Sequence, residues 1–211
     1  MLESIKSIMG LFGNKSGRLH LKMFFIRNLP GVSGVLIRSR LLRKHFASAG
    51  DNLRIHEGFR FRNIHKSQLG KNVTIGVDCY IQAGGDIEIG DNSILSPGVK
   101  IWTLDHSCDD TSQIIRDQSS QYRNVKIGND VWIGTGAIVM PGAILRDGTV
   151  VKPGTVVEGK QYESYSILQG NPARVIGRRE AVKNRLTEKF REDGLGTYKE
   201  SPEMEFTNCP S

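Results

Sequence analysis

No stretch of this 211-residue chain holds eighteen consecutive apolar residues, so no membrane-spanning helix is expected. The opening residues, Met1-Leu2-Glu3-Ser4-Ile5-Lys6, lack the apolar run and small-residue cleavage site of a secretory leader. Cysteine is scarce: Cys79, Cys108 and Cys209 form an odd set with no Cys-x-x-Cys pair, and a reduced, cytoplasmic chain is the default expectation. Acid is nearly missing from the first fifty positions, where nine lysines and arginines face Glu3 alone. The net charge of +7 therefore belongs to that segment, and the rest of the chain is close to neutral. Apolar residues such as Phe24, Phe25, Leu36 and Leu41 interleave with the cations, and Pro30-Gly31 separates two expected helices. Two readings of this basic amphipathic extension, residues 1–50, stay open: a cap over whatever follows, and contact with an anionic membrane surface, which would place the protein at the inner face of the membrane. Nucleic-acid binding is not expected, because no recognised motif accompanies the charge.

What the chain does have is a six-residue rhythm. Ile127, Ile133, Val139, Leu145, Val151 and Val157 fall six apart, each preceded two residues earlier by a small or β-branched residue from Val125 to Thr155. Glycine and proline recur between them. Helical spacing at i, i+3, i+4 and i+7 is missing, and a plain alternating strand leaves the periodic turn residues unexplained. A short strand, a tight turn and another short strand, repeated, accounts for both: a parallel β-helix whose coils cap one another's edges. The register extends upstream through Leu69, Ile75, Ile81 and Ile87, then continues with Ile89, Leu95 and Ile101 offset by two, which predicts a bulge or widened corner near Gly84, Gly85 and Asp86. Between Ile101 and Val125 the rhythm stops. Residues 102–124 are expected to be a loop thrown out from one corner, and long loops on compact repeats usually carry function. Leu53, Ile55, Phe59, Phe61 and Ile64 suggest the first coils, and Cys79, at an inward small position, is expected in the core. After Ile176, a short charged helix over 179–192 and a loose tail over 193–211 complete the expected organisation, with the solenoid domain at 51–178.

Three stretches carry a family resemblance: Trp102-Thr103-Leu104-Asp105-His106 opening the loop, Val131-Trp132-Ile133-Gly134 restarting the repeat, and Gly170-Asn171-Pro172-Ala173-Arg174-Val175-Ile176 closing it. Together with Ile-Gly-Asn-Asp-Val-Trp and Ile-Gly-Asp-Asn-Ser-Ile repeats, they resemble the hexapeptide acyltransferases, in particular the sugar and exopolysaccharide O-acetyltransferases such as those of galactosides and maltose. The resemblance covers roughly residues 51–179. It implies a mainly β, left-handed parallel β-helix, a homotrimer, and acetyl-CoA as donor; periodicity alone gives neither handedness nor trimer.

The same resemblance places the chemistry. His106 matches the catalytic histidine by motif, and neutral imidazole suits removal of a hydroxyl proton near neutral pH. Asp105 beside it is a candidate to orient the ring or hold the acceptor. Gln82 sits where similar enzymes carry an Asn or Asp that bonds the sugar, and an amide suits a hydroxyl-rich ligand. For the donor, Trp132 is expected to point out of the prism, Thr135 and Pro153 fall where similar enzymes touch acetyl-CoA, and Gly134 and Gly154 would let the pantetheine arm approach backbone. Arg174 is the implied phosphate contact, with Lys160 and Arg178 in support. After Val157 the sequence reads Glu158-Gly159-Lys160-Gln161 where the family commonly has Thr-Lys-Asp, so the role of Lys160 departs from the pattern. Glu88 has no assigned part.

These residues imply acetyl transfer from acetyl-CoA to a hydroxyl of a surface polysaccharide or its precursor, with His106 as base and the Gly134 N–H at the oxyanion. No acyl-enzyme is expected, because no Cys or Ser has an adjacent base at triad spacing. N-acetylation of an amino sugar, serine acetylation, and a non-catalytic solenoid scaffold stay open as alternatives. A metal site is not expected: His56 and His65 are read as surface or turn histidines, and no pair of histidines has the spacing that a zinc enzyme on this fold would need.

Overall fold

The computed structural model describes residues 15–180. The expected tail, and all of the expected helix beyond Glu180, lie outside the described residues; Arg179 and Glu180 belong to no helix or strand. No described helix is long and apolar enough to cross a membrane.

The six-residue rhythm becomes a parallel β-solenoid of about six turns with three faces. The first face stacks Ser48–Ala49, Ser67–Leu69, Ile87–Ile89, Val125–Ile127, Ile144–Leu145 and Gln161–Tyr162. The second stacks Arg54–Ile55, Thr74–Ile75, Ile94–Leu95, Trp132–Ile133, Val150–Val151 and Ser166–Gln169, and ends on Arg174–Arg178 as an antiparallel strand. The third stacks Arg60–Arg62, Tyr80–Gln82, Lys100–Trp102, Ile138–Val139 and Val156–Val157. Register sets Ile55, Ile75, Leu95, Ile133, Val151 and Leu168 one above another, each fully buried. Each such side chain contributes about 1.5–3 kcal/mol of burial. Leu53, Phe59, Phe61, Ile64 and Cys79 are in the same core.

The offset of two in the sequence is a change of coil length. Tyr80 pairs with Lys100, twenty residues on, whereas Ile138 pairs with Val156, eighteen on. The extra residues sit where the third face turns into the first: a 3-10 turn at Ile64–Lys66 in one coil, and Gly84, Gly85 and Asp86 in the next. The long loop leaves from this same corner, between Trp102 and Val125.

Two helices, α1 (Lys15–Ile26) and α2 (Gly31–Arg43), cover the first coil. An end strand of a solenoid leaves backbone groups without a partner. Here α2 supplies side chains to them: the Ile55 N–H donates to Ser39 Oγ at 3.1 Å, and Arg38 Nε donates to the Ile55 carbonyl at 2.8 Å. Arg38 is 0% exposed, and its guanidinium also donates to the carbonyls of Ile26 and Leu29 at the end of α1. Burial pushes its pKa down, against the carboxylate of Glu57 at 3.5 Å. Ile26, Leu42 and Phe46 join the core, Phe46 edge-on to Phe61.

Candidate active site

The loop does not leave the coil as irregular chain. Leu104–His106 and Ser120–Tyr122 form an antiparallel hairpin in which His106 pairs with Ser120. The base of the hairpin is held by a buried knot. Gly85 N–H donates to Thr103 Oγ1 at 2.8 Å, and Thr103 Oγ1 lies 2.7 Å from the Gln82 carbonyl and 2.9 Å from Gln82 Oε1. Gln82 Oε1 also accepts from Gly84 N–H at 3.1 Å, and Arg123 N–H donates to the Thr103 carbonyl. Gln82 is thus 4% exposed and its oxygen is committed to the widened corner, so only its Nε2 is left to reach a ligand.

His106 is exposed at the end of its strand, with Nδ1 at 3.2 Å from Ser120 Oγ. The expectation that Asp105 orients the ring is not met. Its carboxylate accepts the backbone N–H of His106 at 3.0 Å and pairs with Arg123 at 3.5 Å. The ring-orienting group, Ser120, carried no signal in the sequence beyond a place in a polar run. Beside the hairpin, Asn63, Lys66, Gly84, Gly85, Asp86 and Tyr122 line a cleft of about 390 Å³. On the adjoining face, Tyr80 and Trp102 stack with ring centroids 5.0 Å apart. Their partnership was not legible either, because twenty-two residues and one coil separate them.

The donor candidates gather along a different edge, where the second face turns into the third. Pro97-Gly98, Thr135-Gly136 and Pro153-Gly154 stack there, with Gly136 N–H donating to the Pro97 carbonyl and Gly154 N–H to that of Thr135. The three glycines have φ near +70°, and space outside Gly136 and Gly154 is open for 4 Å. Trp132 is 39% exposed on the flank of this edge, its indole N–H donating to Ser96 Oγ at 2.8 Å. Gly134 departs from expectation. It is buried, a Cβ there would fall 2.6 Å from Pro153 N, and its N–H donates to the Val151 carbonyl at 2.8 Å. Its glycine lets coils stack, and its N–H is already spent in the ladder rather than open to an oxyanion.

Lys160 and Arg174 lie together at the far end. Lys160 Nζ is 2.7 Å and Arg174 Nη1 3.5 Å from Glu158 Oε2. The hydrogen bond from Lys160 holds Glu158 below its ordinary range, helped by Arg174, and Glu158 holds Lys160 above its own. A cleft of about 350 Å³ opens beside them, lined by Tyr162, Ser166 and Arg178 among others. Within one chain, then, His106 and the Trp132–Pro153 edge stand at opposite borders of the third face, and the structure does not bring them together. Among the described residues no cluster of three His, Cys, Asp or Glu side chains could hold a metal.

The bacterial transferase hexapeptide (six repeats) family matches residues 124–159, and the hexapeptide repeat of succinyl-transferase matches residues 68–101. A maltose O-acetyltransferase from Clostridium difficile 630 superposes with a TM-score of 0.66 at 30% identity, covering 75% of this chain and 83% of that one. A galactoside acetyltransferase solved with coenzyme A gives a TM-score of 0.68 at 26% identity, covering 80% of this chain and 82% of that one. A probable acetyltransferase of Mycobacterium tuberculosis is 35% identical over 130 residues, 62% of this chain but only 41% of the relative's length. The chain belongs to the hexapeptide-repeat acetyltransferases, related to the maltose and galactoside O-acetyltransferases.

Proposed function

We propose that the chain transfers acetyl from acetyl-CoA to a sugar hydroxyl of a surface polysaccharide or its precursor, with His106 as general base. The observation that carries this is the 3.2 Å contact of Ser120 Oγ with His106 Nδ1. A ring that donates from Nδ1 to that oxygen keeps the Nε2 lone pair for a substrate proton. The acceptor oxygen attacks the thioester carbon as its proton passes to Nε2. The tetrahedral adduct then expels the CoA sulfur, which takes the proton back, leaving an acetyl ester and free thiol. The oxyanion needs a donor other than Gly134 N–H, which is engaged in the coil.

The donor reading draws support from the exposed edge of Trp132, Thr135, Pro153 and Gly154, and from Arg174 and Lys160, which offer cations to phosphate. Coenzyme A in the galactoside acetyltransferase agrees with it. The stacked Tyr80 and Trp102 rings offer an apolar platform beside the loop, suited to the C–H face of a sugar, with Gln82 Nε2 and Asp105 nearby in sequence and fold. Separation of His106 from the donor edge fits a homotrimer in which His106 of one solenoid faces the donor edge of the next. The test is release of free CoA thiol from acetyl-CoA with a panel of sugars, comparing wild type with His106→Ala. Sugar-dependent release by wild type that the variant loses supports the reading. Acceptance of amino sugars only at the amine would make it an N-acetyltransferase, and absence of both turnover and CoA binding would make it a scaffold.

A further inference from the structure

The cap buries only one side of its second helix. Gly34, Arg38 and Leu42, four residues apart, face the coil. Val32, Leu36, Arg40 and Arg43, spaced four, four and three, run along the opposite side. Val32 is 78% and Leu36 65% exposed, with Ile37 exposed next to them. On the preceding helix, Phe24 and Phe25 are also exposed, their rings edge to face. Large apolar side chains left in water in this number mark a surface that something covers.

The charge around them selects what. From Lys15 to Gly50 there is no Asp or Glu, while Arg18, Lys22, Arg27, Arg40, Arg43 and Lys44 interleave with the apolar residues along the two helices, Arg18, Arg40, Arg43 and Lys44 being exposed. Among these, Arg43 is paired, with Asp51 at 2.8 Å. A second copy of the same face would bring cation against cation. An anionic bilayer surface satisfies both parts at once: aromatic and aliphatic side chains enter the headgroup boundary while lysine and arginine meet lipid phosphates. We infer that the outer side of the two-helix cap is a docking surface for an anionic lipid membrane, which holds the solenoid against the leaflet without crossing it. This surface is independent of the acetyl-transfer chemistry and stands or falls apart from it.

The experiment is co-sedimentation of the full-length protein with vesicles of phosphatidylcholine alone and of phosphatidylcholine with phosphatidylglycerol, at low and at high salt. Binding is expected on the anionic vesicles, weakened by salt. Arg40→Gln with Lys44→Gln should weaken it by about fivefold per charge removed, and Phe25→Ser with Leu36→Ser should abolish most of the rest. These positions are exposed, so the variants keep their fold, checked by circular dichroism. Equal binding to both vesicle types, or none to either, overturns the inference. So does a smaller particle size of Phe25→Ser/Leu36→Ser in solution without lipid, which would assign the surface to a neighbouring subunit.

Discussion

Ser120 Oγ stands 3.2 Å from His106 Nδ1 because the two residues pair across the loop hairpin, so the position of the imidazole is set by strand register rather than by its own neighbours in the chain. Replacing the proposed base and replacing its hydrogen-bond partner should therefore differ in degree. His106→Ala is expected to lower kcat by about 10²–10⁴-fold. Ser120→Ala, which removes one hydrogen bond worth about 1 kcal/mol, should lower it about fivefold. Steady-state rates from pH 5.5 to 9 check both, with KM for acetyl-CoA expected to hold constant.

The inward residues, the change of coil length and the place of the loop were all legible in the sequence, because a solenoid core repeats one burial decision every six residues. Ile89, Leu95 and Ile101 shifted by two, and the coil is longer by two residues at Gly84–Asp86. What was not legible depends on contact between coils. Gly134 and Gly154 occupy similar turns in sequence, yet one is pressed on Pro153 and the other faces open space. Ser120 acquires its partner only through the register of the hairpin, and Tyr80 only after the chain has travelled once round the prism. Arg38, one cation among many in a basic segment, is the one that the fold buries among the described residues.

That glycine contrast gives a second prediction. Gly134→Ala forces a Cβ onto Pro153 N and the Val151 carbonyl, at 2.6 and 2.8 Å, and should cost about 1–3 kcal/mol of stability. Gly154→Ala meets no atom within 4 Å but must hold φ at +69°, costing about 1 kcal/mol. If the pantetheine arm runs along this edge, the second variant raises KM for acetyl-CoA out of proportion to its small loss of stability. Thermal melts and KM measured on the same preparations separate the two.

Arg38→Leu tests how the cap is fixed. The substitution keeps apolar volume but strips donors from the carbonyls of Ile55 and Leu29, and one of two from that of Ile26. A loss of about 3 kcal/mol is expected, since each unsatisfied group costs about 1–3 kcal/mol and partial relaxation recovers some of it. Limited proteolysis should then cut first within residues 15–50, while the solenoid stays protected.

If Arg174 meets a phosphate of CoA as proposed, Arg174→Ala should raise KM for acetyl-CoA about tenfold with kcat little changed. Dephospho-CoA derivatives discriminate further. If Arg174 meets the ribose phosphate, wild type and variant should show the same KM for the acetylated dephospho form, and a persistent difference would move the contact to the diphosphate.

Cys79 provides a prediction independent of any ligand. Its thiol is 1% exposed, lies 3.3 Å from the Ser96 carbonyl, and is pushed up to about 11 by burial, whereas Cys108 is exposed in the loop. Alkylation proceeds through thiolate, so at pH 8 iodoacetamide should modify Cys108 and spare Cys79, read by peptide mass mapping. The sign of the stability effect follows from proton linkage. The unfolded thiol ionises near its ordinary value of 9.0, and the folded one only near 11. Between those values the unfolded chain has released a proton that the native chain still holds, so stability from this group is intact below pH 9 and is lost as pH rises toward 11. Cys79→Ala should flatten that part of the stability curve while lowering it throughout, because a small cavity replaces the sulfur between the stacked coils.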